Sequence, residues 1–161
     1  MEFSVSRSRS FRFRKIHPLI AEFILSIPDT IDMDQLSEDA QARLFPPATD
    51  DPQFDALRNE WKAYVEPDLH EHFRSAREVV AADLKQMREV KGMVELEIAP
   101  GHAEAWLNAL NQARLVLASD LDFDEQKLSS TNADVTTETG SRVFRLNLFA
   151  FMQECLIDKM G

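Results

Sequence analysis

Apolar positions along this chain follow two rhythms, one of period two and one of period three to four. The opening FSVSRSRSFRFRKI alternates, with Phe3, Val5, Phe11 and Phe13 on one parity and Ser4, Ser10, Arg12 and Arg14 on the other. A period of two is the signature of a strand with one face buried. Arg7 and Arg9 break the apolar parity, so the pattern predicts a strand over about 10–15 and a shorter one before it. MVELEI repeats the rhythm, setting Val94, Leu96 and Ile98 against Glu95 and Glu97. Opposite charges attract across paired strands, which places this acidic face beside Arg12 and Arg14.

The other apolar positions keep helical spacing. HPLIAEFILSIPD reads as a short helix with Pro18 in its first turn and Pro28 at its end. Residues 29–51 are acidic and poorly patterned, with FPPATDD as a stiff loop. Asp51 and Pro52 offer an N-cap and a first-turn proline to a helix carrying Phe54, Leu57, Trp61 and Tyr64. Pro67 disfavours helical geometry at Glu66, so the chain kinks or restarts there. Beyond it, Leu69, Phe73, Ala76, Val80, Leu84 and Met87 form one stripe of a long helix that Gly92 closes.

Pro100 and Gly101 turn the chain into another helix. Ala103, Trp106, Leu110, Ala113 and Leu117 make its apolar stripe and Leu107 flanks it. Asn108 and Gln112 fall opposite, Asn111 lies near the boundary, and Arg114 sits inside the apolar arc. Residues 122–141 are polar and rich in turn formers, and read as a mobile loop. The closing RVFRLNLFAFMQECLIDKM is apolar around most of its circumference, as a helix packed on several sides would be. Its stripe of Phe144, Leu148, Phe151 and Cys155 is expected on the Trp106 helix. Its stripe of Phe149, Met152, Leu156 and Met160 is expected on the long helix from Pro67. The predicted fold is α+β and mostly helical: about five helices with a small antiparallel sheet pairing roughly residues 10–15 with 94–98, in a single domain over 1–161.

Charge narrows the partners. The net charge is −10, yet residues 1–15 hold five basic groups against Glu2 alone, which leaves −14 on the rest. That surface repels nucleic acid and anionic membrane, so strong autonomous nucleic-acid binding is not expected. The basic start reads as a solvated strand face rather than a nucleic-acid arm. No apolar run reaches the roughly 18 residues of a membrane span. LIAEFIL after a basic start mimics a signal peptide, but Glu22 splits it and no small-residue cleavage site follows. Cys155 is the one cysteine, which suits a reducing cytoplasm. Without a basic neighbour on its own turn, it reads as a structural thiol before a reactive one.

Four glycines could hardly supply a phosphate loop, and no nucleophile elbow is present. DLHEH is the best metal candidate: Asp68 and His72 share a helix face, as do Glu66 and His70, but the two histidines point about 160° apart. Exposed or interface histidines are the first reading, and metal binding by Asp68, His70 and His72 the alternative. His102 reads as a surface or cap residue. Arg114 needs acceptors if buried. Glu154 is its expected partner, because Asn147, Glu154 and Asp158 form the polar strip of the last helix. A core-specifying ion pair is the first reading and a ligand-gripping arginine the second. No cofactor is expected.

HAEAWLNALNQARLVLASDL together with the closing helix, Gln153, Glu154 and Leu156 included, resembles a small bacterial family of unknown domain function. That family is best known in actinobacteria, where members are called oxidation-sensing regulators. FRFRKIHPLIAEFIL and the EPDL helix start fit as well. The resemblance implies a cytoplasmic, mainly helical domain often encoded beside the adaptor of the Clp protease. The family's redox role rests on a cysteine pair; Cys155 alone cannot form a disulfide within one chain. The expected function is thus a non-enzymatic interaction protein, a transcription-associated regulator acting through protein contacts. Its implied partners are the transcription machinery or the Clp adaptor, and Trp106, Asn108, Asn111, Arg114 and Glu154 are the candidate interaction or structural residues. A metal- or small-ligand-binding enzyme at Asp68, His70 and His72 is the alternative. A monomer is favoured, with a homodimer through the last helix as the alternative.

Overall fold

The alternating segments form the expected sheet. The computed structural model describes residues 1–45, 51–121 and 137–161. Strands β1 (Glu2–Val5), β2 (Phe11–Ile16), β3 (Arg88–Val90) and β4 (Met93–Ile98) make one antiparallel sheet in the order β1-β2-β4-β3. Phe11 pairs with Ile98 and Phe13 with Leu96, and all four are buried. Arg12 lies opposite Glu97 and pairs with it at 3.3 Å on the outer face. The register shifts between Phe13 and Ile16, with Lys15 in the left-handed region at φ 53°. That extra residue turns Ile16 onto the same buried face as Phe13, which strict alternation would forbid.

The long helix from Pro67 is shorter than its apolar stripe implies. It ends at Leu84, and residues 88–98 fold back as the β3–β4 hairpin. Lys91 and Gly92 turn that hairpin with φ values of 53° and 78°, the two positive angles of a type I′ turn. Gly92 therefore closes a hairpin, not a helix.

Among the described residues, five α-helices run for eight residues or more: α1 (Pro18–Leu25), α4 (Asp55–Tyr64), α5 (Glu66–Leu84), α6 (Ala103–Asp120) and α7 (Glu138–Met160). Of two shorter ones, α2 (Ile27–Thr30) takes up the end of the segment read as one helix, and α3 (Glu38–Leu44) lies in the region read as poorly patterned. Pro28 begins α2 rather than ending α1. Ser37 caps α3 by accepting the Ala40 N–H, and Glu38 and Asp39 suit its positive N-terminal end. Most of the FPPATDD loop and most of the polar stretch at 122–141 lie outside the described residues. What is described of the latter belongs to α7, which starts at Glu138 under a Thr137 cap.

The core sits between the inner face of the sheet and helix α6, which packs against α2, α3, α5 and α7. Trp106, Leu110, Ala113 and Leu117 are buried as their stripe requires. Gln112 is buried too, because α3 and α5 cover the side of α6 that periodicity assigns to solvent. A smaller apolar cluster joins Ala40, Leu44 and Phe45 of the α3 region to Val116. Helix α7 buries Leu148, Phe149, Met152 and Leu156 against α6. The stripe of Phe149, Met152 and Leu156 expected on α5 thus packs on α6 instead, while Phe151 of the stripe expected on α6 is exposed, with Ile157 and Met160. The central helix is α6.

Candidate functional site

The polar residues of α6 are tied to its neighbours. Trp106 is fully buried, so its indole N–H needs an acceptor. The Asp83 carboxylate, near the end of α5, accepts it at 2.8 Å. The same carboxylate meets His102 Nδ1 at 2.9 and 3.0 Å. His102 makes no side-chain cap on α6 and instead clamps its first turn to α5. Sequence reading missed this cluster. The available signal was the spacing of four between His102 and Trp106, which puts both on one helix face.

Asn108 faces α5, where its Nδ2 lies 3.0 Å from His72 Nε2, and Asn111 is exposed. Gln112 is 2% exposed, and neither of its amide atoms has a hydrogen-bond partner among the described residues. Arg114 is half-buried and its partner is Gln153, not Glu154. Its Nη1 donates to Gln153 Oε1 at 2.6 Å, and Gln153 Nε2 donates to the Leu107 carbonyl at 3.3 Å. A carboxamide can accept from the guanidinium and donate to the carbonyl at once, which a carboxylate cannot. Glu154, one residue on and about 100° around the helix, stays exposed.

DLHEH does not converge. His70 stacks on Phe45 with ring centroids 4.0 Å apart and planes 4° apart, and its Nε2 lies 3.6 Å from Glu66. His72 turns to Asn108, and Asp68 is exposed. Among the described residues no three His, Cys, Asp or Glu side chains are placed to hold a metal ion. Cys155 is half-buried, and burial pushes its thiol above the ordinary range, with Glu154 and Asp158 adding to the rise.

Helix α4 is different from every other long element. Its pattern is as amphipathic as the sequence predicts, yet none of its ten residues is buried. Phe54 just before it is 41% exposed, and Leu57 and Tyr64 are 53% and 76% exposed. An isolated helix of this length is marginal in water, because helical stability comes mostly from packing an apolar face. On α4 much of that face is open, although Trp61 on the same stripe is half-buried.

The fold and these placements define a class: a mostly helical α+β protein with a small four-stranded antiparallel sheet and one amphipathic helix laid open to solvent. Residues 20–160 match the model of a family described as a domain of unknown function, DUF2017, and the chain belongs to that family. No curated protein and no solved structure matches the chain.

Proposed function

We propose that this chain is a non-enzymatic, cytoplasmic interaction protein, a transcription-associated regulator that acts through protein contacts. The observation that carries the reading is α4, whose Leu57 and Tyr64, with Phe54 just before them, project into solvent from a helix with no buried residue. A row of apolar anchors at helical spacing suits insertion into a groove on another protein. The surplus of acid supports a protein rather than a nucleic acid as the partner. No described helix is long and apolar enough to cross a membrane. The regulatory part of the reading rests on the resemblance to oxidation-sensing regulators, with Cys155 outside any intramolecular disulfide.

Leu57→Glu tests it. The substituted residue is half-exposed, so the variant should unfold within about 0.5 kcal/mol of the parent. It should also lose the protein that co-purifies with the tagged parent from native cells. A co-purifying partner that is retained at full yield by the folded variant would remove α4 from the interface.

A further inference from the structure

Strand β1 forms one edge of the sheet. Its hairpin with β2 closes on a bond from the Ser6 N–H to the Ser10 carbonyl at 2.9 Å, in step with the Ser4–Arg12 and Glu2–Arg14 pairs. Antiparallel ladders bond alternate residues, so Glu2, Ser4 and Ser6 direct their main-chain groups at β2. Phe3 and Val5 direct theirs outward, where no described strand receives them. Folded proteins usually blunt such an edge with a proline or a charge. Neither stands at the two outward residues, and Glu2, at the end of the strand, is engaged by Lys15 at 2.5 Å.

The side chains specify what fits beside this edge. On the inner face Phe3 meets the rings of Phe11 and Phe13, with centroids 6.3 and 4.8 Å apart, yet stays half-buried. Val5, two residues on, is 40% exposed, so the apolar row of the sheet ends at β1 uncovered. Around the outer face three ion pairs are closed: Lys15 with Glu2, Arg12 with Glu97 and Arg88 with Glu95. Arg7, Arg9 and Arg14 are exposed and have no ion-pair partner among the described residues. With every pair counted, this end of the sheet keeps a positive surplus in a chain whose net charge is −10.

We propose that the β1 edge takes an extended segment of a partner protein as a fifth strand, with apolar residues beside Phe3 and Val5 alternating with acidic ones toward Arg7, Arg9 and Arg14. The outward main-chain groups supply the hydrogen bonds, and the alternating side chains supply the selection. Strand β4 already answers β2 in this way, with Leu96 and Ile98 beside Phe13 and Phe11 and Glu97 on Arg12. A row of N–H and C=O groups is matched by a peptide backbone and not by a phosphodiester one, which favours a protein over a nucleic acid. The surface includes no residue of α4, so its test is separate from that of Leu57→Glu.

The test titrates the ¹⁵N-labelled full chain with the peptide acetyl-GVEVEVEG-amide. At saturation the Phe3 and Val5 amides should exchange with solvent at least about tenfold more slowly than in the free protein. The glutamine counterpart GVQVQVQG should bind about tenfold more weakly, and Arg7→Gln combined with Arg14→Gln should weaken the acidic peptide by a similar factor. Val5→Pro removes an outward N–H and leaves the ladder to β2 in place, so it should abolish binding. Unprotected Phe3 and Val5 amides would overturn the proposal, as would equal binding of the glutamine peptide or parent-like binding by Val5→Pro. Protection of the same amides by oligothymidylate, at an affinity equal to that of the peptide, would overturn it in favour of a nucleic acid. Arg7 and Arg14 are exposed, so the double variant keeps the test valid if Val5→Pro does not fold.

Discussion

Gln112 is the clearest case of a residue whose polar atoms work against the site it occupies. A buried amide with neither end bonded carries a desolvation cost that no contact offsets. Gln112→Met keeps the shape and removes the cost, so stability should rise by about 1–2 kcal/mol. The urea midpoint should move up with an unchanged slope; a lower midpoint would mean that Gln112 is bonded in solution. Arg114 behaves differently, since Gln153 accepts from its guanidinium and is itself anchored on the Leu107 carbonyl. Arg114→Ala should cost about 1.5–3 kcal/mol, the range of a hydrogen bond to a charged group. Glu154→Ala should stay within about 0.5 kcal/mol, as an exposed residue does. A cost for Glu154→Ala matching that of Arg114→Ala would restore the ion pair. The raised Cys155 thiol gives a pH prediction. Its folded form holds the proton to higher pH than the unfolded chain does, so its contribution to stability is complete below the unfolded thiol pKa. That contribution is lost as pH rises through the folded one. Alkylation rate against pH should therefore show a higher midpoint for folded protein than for protein in urea. Equal midpoints would deny the burial.

At the scale of elements, the β3–β4 hairpin rests on two left-handed residues. A Cβ added at Gly92 meets nothing within 4 Å, so the cost of Gly92→Ala is conformational alone. It should destabilise by about 1 kcal/mol, while Lys91→Asn should be neutral or stabilising because Asn accepts a positive φ. Opposite outcomes in thermal unfolding would exclude the type I′ turn. The same glycine explains why this hairpin was hidden. A glycine in the left-handed region serves a helix end or a hairpin equally, and Leu84 and Met87 prolong the α5 stripe in register. REV is too short to display alternation. Helix α3 was missed as well: Ser37 with Glu38 and Asp39 is an N-terminal signature, but the weak apolar pattern behind it masked the helix. The β2–β4 pairing was legible because two long alternating segments carried complementary charge at Arg12 and Glu97.

For the whole molecule, the question is which helix the others surround. Apolar content pointed to α7, yet α6 holds the centre with a surface of small residues, Ala103, Ala109 and Ala113, that lets neighbouring helices approach closely. Periodicity counts apolar positions and cannot say which are covered, so it assigned Gln112 to solvent and Phe151 and Met160 to the core. For the same reason the apolar stripe of α4 could not be read as covered or open, and the Asp83 clamp on His102 and Trp106 stayed invisible because its members come from two helices. The open face of α4 is the central claim, and site-resolved photo-crosslinking in native cells tests it most directly. A photoreactive residue at Tyr64 should give a discrete protein adduct that Leu57→Glu abolishes, whereas the same residue at exposed Asn147 of α7 should give none. Adducts of equal yield at 64 and 147, or an adduct at 64 that survives Leu57→Glu, would contradict the account.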